Sequence, residues 1–156
     1  MSDAEYMRLA IEAAREGLKK GEMPFGSCIV QRGRVVTAVH NVARERMDIT
    51  AHAEMHAIQE ACRRLRTLDL SGCVIYTSCE PCPMCFSACF WANLDKIVYG
   101  SRIEDAERMG IRQLPITLST MKQLSRSSVE IVGDLLREES VELFRAWART
   151  GYRRMG

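Results

Sequence analysis

With 156 residues, 47% of them hydrophobic and 27% charged, the chain has the size and composition of a single globular domain. Its 22 basic and 20 acidic residues leave a net charge of +2, which gives no strong reason to expect a nucleic acid or an anionic membrane surface as partner. The acidic start Met1-Ser2-Asp3-Ala4-Glu5 does not read as a signal peptide, and no apolar run approaches the roughly 20 residues that span a bilayer.

Ser2 and Glu5 have the spacing of a capping box, and Tyr6, Leu9, Ala10, Ala13, Ala14 and Leu18 recur at helical period. They predict a helix over about residues 3–20, stopped at Gly21. Ser27–Gln31 and Val35–His40, joined by Arg32-Gly33-Arg34, predict an antiparallel hairpin that turns at Gly33. Residues 41–51 read as a polar loop, and residues 52–66 as a helix with basic residues at its C-terminal end. Cys73–Ser78 predicts a strand, with Cys79 in the loop that follows it. Pro83 suits a first helical turn, so the next helix runs to about Asn93, ahead of a strand at Lys96–Gly100. Beyond Ser101 the pattern predicts short helices near 104–109 and 118–125, a strand near 128–132, and a last helix from Asp134 to about Thr150. This alternation implies a central sheet with helices on both faces, in one domain over residues 1–156.

The seven cysteines are an odd number, and four of them crowd into Cys79–Cys89. In a chain without an export signal this reads as metal or thiol chemistry in the reducing cytoplasm. Cys82 and Cys85 stand three apart at a helix start, where orphan N–H groups and the helix dipole favour thiolate. His52 opens the preceding helix. If the two helix starts lie side by side, one imidazole and two thiolates converge on a Zn²⁺ and leave its fourth position open, as in a catalytic site. Glu54 is adjacent without being a ligand and can carry protons. His-x-Glu followed by Pro-Cys-x-x-Cys is the signature of the zinc nucleobase deaminases. The rival reading is a closed structural zinc with Cys79 as fourth ligand, and Cys73 and Cys89 as further candidates. That reading leaves Glu54 without a purpose.

The motifs Met23-Pro24-Phe25-Gly26, Thr50-Ala51-His52-Ala53-Glu54 and Thr77-Ser78-Cys79-Glu80-Pro81-Cys82-Pro83-Met84-Cys85, with Asn41 after the second strand, resemble the cytidine deaminase superfamily. The similarity runs over at least residues 3–110, and Pro83-Met84 with Phe90-Trp91-Ala92 is similar to the bacterial guanine deaminases and their plant guanosine-deaminating relatives. The resemblance implies an α/β fold, a three-layer α/β/α sandwich around a mixed five-stranded sheet, and a homodimer. It gives Phe25 the role of stacking on the base, Asn41 and the backbone of Ala53 the role of contacting its edge, and Trp91 a place in the pocket wall. It also implies that residues 134–156 form a C-terminal helix and tail that cap a site.

The chain departs from guanine deaminases where those carry an acidic pair, because Gly110-Ile111-Arg112-Gln113-Leu114-Pro115 contains no acid. A guanine-like substrate then calls for Glu104, Asp105, Glu107, Glu138, Glu139 or Glu142 to enter the pocket. The leading expectation is a hydrolytic deaminase of a free base or nucleoside, guanine-like. The alternatives are a cytosine deaminase or a tRNA adenosine deaminase that uses Arg63-Arg64-Leu65-Arg66 and Arg153-Arg154. A non-enzymatic zinc-stabilised binding domain is opposed by the intact Glu54.

Overall fold

The computed structural model describes residues 1–152. Its first helix, α1 (Asp3–Lys19), starts with the expected capping box, in which the Ser2 side chain accepts from the Glu5 N–H. Strands β1 (Gly26–Gln31) and β2 (Arg34–His40) form the predicted hairpin, turning at Gly33, whose φ of +75° suits a residue without a Cβ. A short helix α2 (Ala43–Arg46) occupies the stretch read as a polar loop. Its N-terminus is capped by a remote group, since the Glu22 carboxylate accepts from the N–H groups of Arg44 and Glu45 at 3.0 and 2.7 Å. Asn41 adds a local cap, its Oδ1 accepting from the Ala43 N–H at 2.9 Å.

Helix α3 (Ala53–Leu65), strand β3 (Cys73–Cys79), helix α4 (Pro83–Trp91) and strand β4 (Lys96–Ser101) follow. Cys79 is thus the last residue of a strand and not a loop residue, because it pairs in register with Ser101 of β4. Helices α5 (Ile103–Arg108) and α6 (Leu118–Ser125), the short strand β5 (Glu130–Val132) and helix α7 (Arg137–Thr150) complete the described residues.

The five strands lie in the order β2-β1-β3-β4-β5. The hairpin side is antiparallel, while β3, β4 and β5 run parallel, so the sheet is mixed. Alternation along β3 divides the core into two layers. Cys73 and Ile75 face α3 and α4, together with Ala57, Ile58, Phe86 and Cys89. Tyr76 faces the opposite way, toward Met7, Ala10 and Ile11 of α1 and Leu143 of α7. Phe86 and Leu94, 2% and 4% exposed, sit inside this core, whereas Phe90 and Trp91 of the same stretch stay exposed. Gly26 is needed where α1 crosses β1, because a Cβ there would collide with the backbone of Ala10 and Ala14. No described helix is long and apolar enough to cross a membrane.

Candidate active site and metal centre

The parallel strands β3 and β4 end on the same side of the sheet, and open α/β sheets bind ligands beyond such carboxyl ends. The hairpin delivers two more residues to this edge. Gly26 and His40 are its last register pair, and the Asn41 N–H donates to the Phe25 carbonyl at 3.0 Å, so Phe25 and Asn41 stand side by side. Helices α3 and α4 both begin here, with His52 and Cys82 as their N-caps and Pro83 in the first turn of α4.

The imidazole Nδ1 of His52 lies 3.7 Å from Cys82 Sγ and 3.6 Å from Cys85 Sγ. Zinc–nitrogen and zinc–sulfur bonds of roughly 2.05 and 2.3 Å at a tetrahedral angle separate nitrogen from sulfur by about 3.6 Å. The observed spacing is therefore that of ligands to one zinc, although the three groups also satisfy hydrogen-bond criteria. All three ligand atoms lie within 4.8 Å of one another. Cys79 does not join them, since its buried thiol is directed at the Arg102 carbonyl, 3.8 Å away. His56 is turned to the His40 carbonyl at 3.0 Å.

The charges at this corner also fit a cation. A hydrogen bond with the Cys85 thiol brings Cys82 down to about 4, and His52 adds to the effect. The same contact, with burial, pushes Cys85 well above the usual thiol range. The protein groups alone therefore carry one thiolate readily and resist the second, and a divalent ion removes that resistance. The contact with Cys82 raises His52, and burial raises Glu54. Burial likewise raises Cys79 and Cys89, which makes them inert neighbours.

In front of this corner opens a cleft of about 620 Å³ whose walls include His52, Glu54, Cys82, Phe25 and Asn41. Phe25 stacks edge-on against Phe144 of α7, with ring centroids 5.8 Å apart. The Asn41 Oδ1 accepts from the Ala43 N–H at 2.9 Å, which leaves its NH₂ group for the cleft. Ala53 is fully buried, and its side chain is not on the cleft wall.

Trp91 does not reach the cleft within one chain. It is 78% exposed at the far end of α4, about 13 Å of helix from Cys82, and stacks edge-on against Phe90. Nor does any of the six expected acids line the cleft. Asp105 is held by Arg137 through two contacts at 2.8 and 2.9 Å. Glu104, Glu139 and Glu142 pair with Arg102, Arg8 and Arg145, and Glu138 lies within 4.0 Å of Arg145. Glu107 belongs to a separate surface hollow beside Tyr99.

The sequence reading missed several walls of the cleft. Met23, Glu80, Ile111, Arg112 and Gln113 all line it. Both Glu80 carboxylate oxygens are occupied: one accepts from the Ile103 N–H at 3.1 Å, the other from the Leu118 N–H at 2.9 Å. This 7%-exposed carboxylate thereby caps the N-termini of α5 and α6, and through Leu118 it ties the far end of the intervening loop to the motif that carries Cys82. An acid directly before Pro81-Cys82, where burial was to be expected, was the available signal.

A mixed-sheet α/β/α sandwich with a His/Cys/Cys group at two helix N-termini defines the class of zinc-type aminohydrolases. The chain belongs to the cytidine and deoxycytidylate deaminase family, whose zinc-binding region matches residues 1–101. It is 39% identical over 111 residues to the guanine deaminase of Bacillus subtilis, covering 70% of this chain and 71% of that one. It is 34% identical over 149 residues to the tRNA-specific adenosine deaminase of the same organism, covering 94% and 89%. Among solved structures, the guanine deaminase from Nitrosomonas europaea superposes with a TM-score of 0.88 at 28% identity, over 95% of this chain and 85% of that one. The chain is an aminohydrolase of the zinc-binding deaminase family, and its His/Cys/Cys group is positioned to bind the metal.

Proposed function

We propose that this chain hydrolyses the exocyclic amine of a purine-type nucleobase, presented as a small molecule, with His52, Cys82 and Cys85 as zinc ligands and Glu54 as the proton carrier. The observation that carries this reading is a buried carboxylate facing a base-accepting cleft beside a three-donor metal group. Zinc supplies a Lewis acid that makes water nucleophilic near neutral pH. Glu54 takes the proton of the attacking water and returns it to the departing amine, so the ring carbon keeps the oxygen and ammonia leaves. Its burial suits this double role, because a raised carboxyl accepts and releases protons closer to neutrality. Phe25 packs on the flat face of the ring, and the Asn41 NH₂ donates to an acceptor on its edge. Helix α7 backs this wall through Phe144 and Trp147, which cluster with Met23 and Phe25 and support a capping role for the C-terminal segment.

Guanine is the leading base by similarity to the relatives, although among the described residues the only carboxylates on the cleft wall are Glu54 and the doubly engaged Glu80. The second reading, a tRNA substrate, is favoured by the relative that matches along 94% of the chain. Against it, the cluster at Arg63, Arg64 and Arg66 lies about 18 Å along α3 from His52, at the opposite end of the domain from the cleft. Arg153 and Arg154 fall outside the described residues. Exposed Phe90 and Trp91, 45% and 78%, support assembly as a homodimer. A monomeric mass at micromolar concentration would contradict that assembly. The seven free cysteines support a reducing cytoplasmic location.

Ammonia release over guanine, guanosine, cytosine, adenine, ammeline and tRNA tests the reading. Release from at least one purine-type small molecule is expected. Release from tRNA alone moves the function to the second reading, and release from none overturns both.

A further inference from the structure

We propose that Arg112 is the substrate-recognition cation of the cleft, and that the heterocycle deaminated there carries a phosphate on the side away from its amine. This rests on the deaminase reading above and names the class of its substrate. The polar groups of the cleft divide into those already engaged and those free to meet a ligand. His52, Glu54 and Cys82 form the reacting corner, both oxygens of Glu80 cap helices, and the Cys79 thiol faces the Arg102 carbonyl. What is left is the NH₂ of Asn41, the amide of Gln113 and the guanidinium of Arg112. The free side-chain groups are therefore mostly donors, with the Gln113 carbonyl the exception. A donor-rich wall suits a ligand whose non-reacting side is rich in acceptors, a condition that the oxygens of a phosphate meet.

The state of Arg112 sets it apart from its neighbours in sequence. Arg102, Arg108 and Arg137 are each ion-paired with Glu104, Asp105 or Asp134. Among the described residues Arg112 makes no ion pair or hydrogen bond, and it is exposed at the cleft. Its loop contains no helix or strand over residues 111–117, yet it is anchored at one end by buried Ile111 and tied at both flanking helices by Glu80. The cation is thus held at the cleft without a protein anion to neutralise it. A guanidinium fork matches phosphate oxygens in pairs, which makes phosphate its natural counterpart. A cleft of about 620 Å³ falls within the range that encloses drug-sized ligands and leaves room for a sugar and a phosphate beside the base.

The test uses the zinc-loaded full chain with guanosine, adenosine and cytidine, each paired with its 5′-monophosphate, read by thermal shift and by ammonia release. For the base that is turned over, the monophosphate is expected to raise the melting temperature more than the nucleoside does. It should also give about tenfold higher kcat/KM, mainly through KM. Arg112→Gln removes that preference, Arg112→Lys restores part of it, and Arg126→Gln, which changes an exposed arginine away from the cleft, leaves it intact. A short RNA hairpin distinguishes the source of the phosphate: Arg112-dependent stabilisation by the hairpin alone places it in a polynucleotide. Equal effects of nucleoside and monophosphate, a preference that survives Arg112→Gln, or no stabilisation by any ligand overturns the proposal. An Arg112-dependent preference in binding without ammonia release would overturn the deaminase reading and the substrate named from it, and leave only Arg112 as a phosphate-recognising cation.

Discussion

On one side of the cleft, His52, Cys82 and Cys85 sit on the first turns of two regular helices. On the other, residues 111–117 have no regular structure and are held by buried Ile111 at one end and by the bond from the Leu118 N–H to the buried Glu80 carboxylate at the other. The first region is fixed by backbone geometry that tolerates little change, and its donor spacing matches a single ion. The second is held near its ends, by buried Ile111 and by the cap on Leu118, while residues 112–117 between them are outside the core. The first carries the metal group common to the zinc-binding deaminase family, and the second contributes Ile111, Arg112, Gln113 and Leu114 to the cleft wall.

Substitutions that separate the two regions should separate two kinds of defect. The largest effect is expected for Cys82→Ala or Cys85→Ala, which removes a ligand. Zinc should be lost together with activity, as metal analysis of the purified variant will report. One zinc per chain retained in either variant would mean that the ligand set is wrong, and Cys79 is the first replacement to examine. A smaller effect is expected for Glu80→Gln, where an NH₂ group replaces one of the two acceptors facing the Ile103 and Leu118 N–H groups. Leaving one buried donor unsatisfied costs about 1–3 kcal/mol. That amounts to a loss of roughly 2–12 °C in melting temperature for a domain of this size. The variant should keep its zinc, and KM should rise more than kcat falls. Loss of zinc in Glu80→Gln would break the comparison by showing that the loop and the metal corner stand or fall together. The smallest effect is expected for Trp91→Ala, because that side chain lies outside the cleft of its own chain. Its kcat/KM should stay within about threefold of wild type, in line with surface substitutions. A larger loss with the dimeric mass unchanged would mean that a second copy places Trp91 at the site.

The same division explains what could be read from the sequence. Local signals located most elements within a few residues: the Ser2–Glu5 capping box, the turn at Gly33 and the proline that opens α4. The metal group was equally legible, because its ligands follow from spacing and from helix starts that the sequence marks. Helix α2 was missed because it spans only four residues and two of its N–H groups are met by Glu22, remote in sequence. Arg112 and Gln113 were noticed only for the acid they lack, since a loop without periodicity does not disclose which cavity it faces. Trp91 was placed in the wall by resemblance, and the length of α4 carries it away from the cleft. Glu104, Asp105 and Glu107 were candidates by proximity in sequence and Glu138, Glu139 and Glu142 as acids of the C-terminal segment, whereas nearby arginines or positions off the cleft account for them in the fold.

The central claim is that a metal held by His52, Cys82 and Cys85 works with a separate proton carrier, Glu54. The most direct measurement is ammonia release by the zinc-loaded Glu54→Ala variant on the best substrate of the wild-type chain. The account predicts a full complement of zinc and a rate lower by about 10²–10⁴ or more, the share that a positioned acid–base group supplies. A variant that keeps more than about a tenth of wild-type turnover would contradict it, because that is far less than the loss of such a group costs.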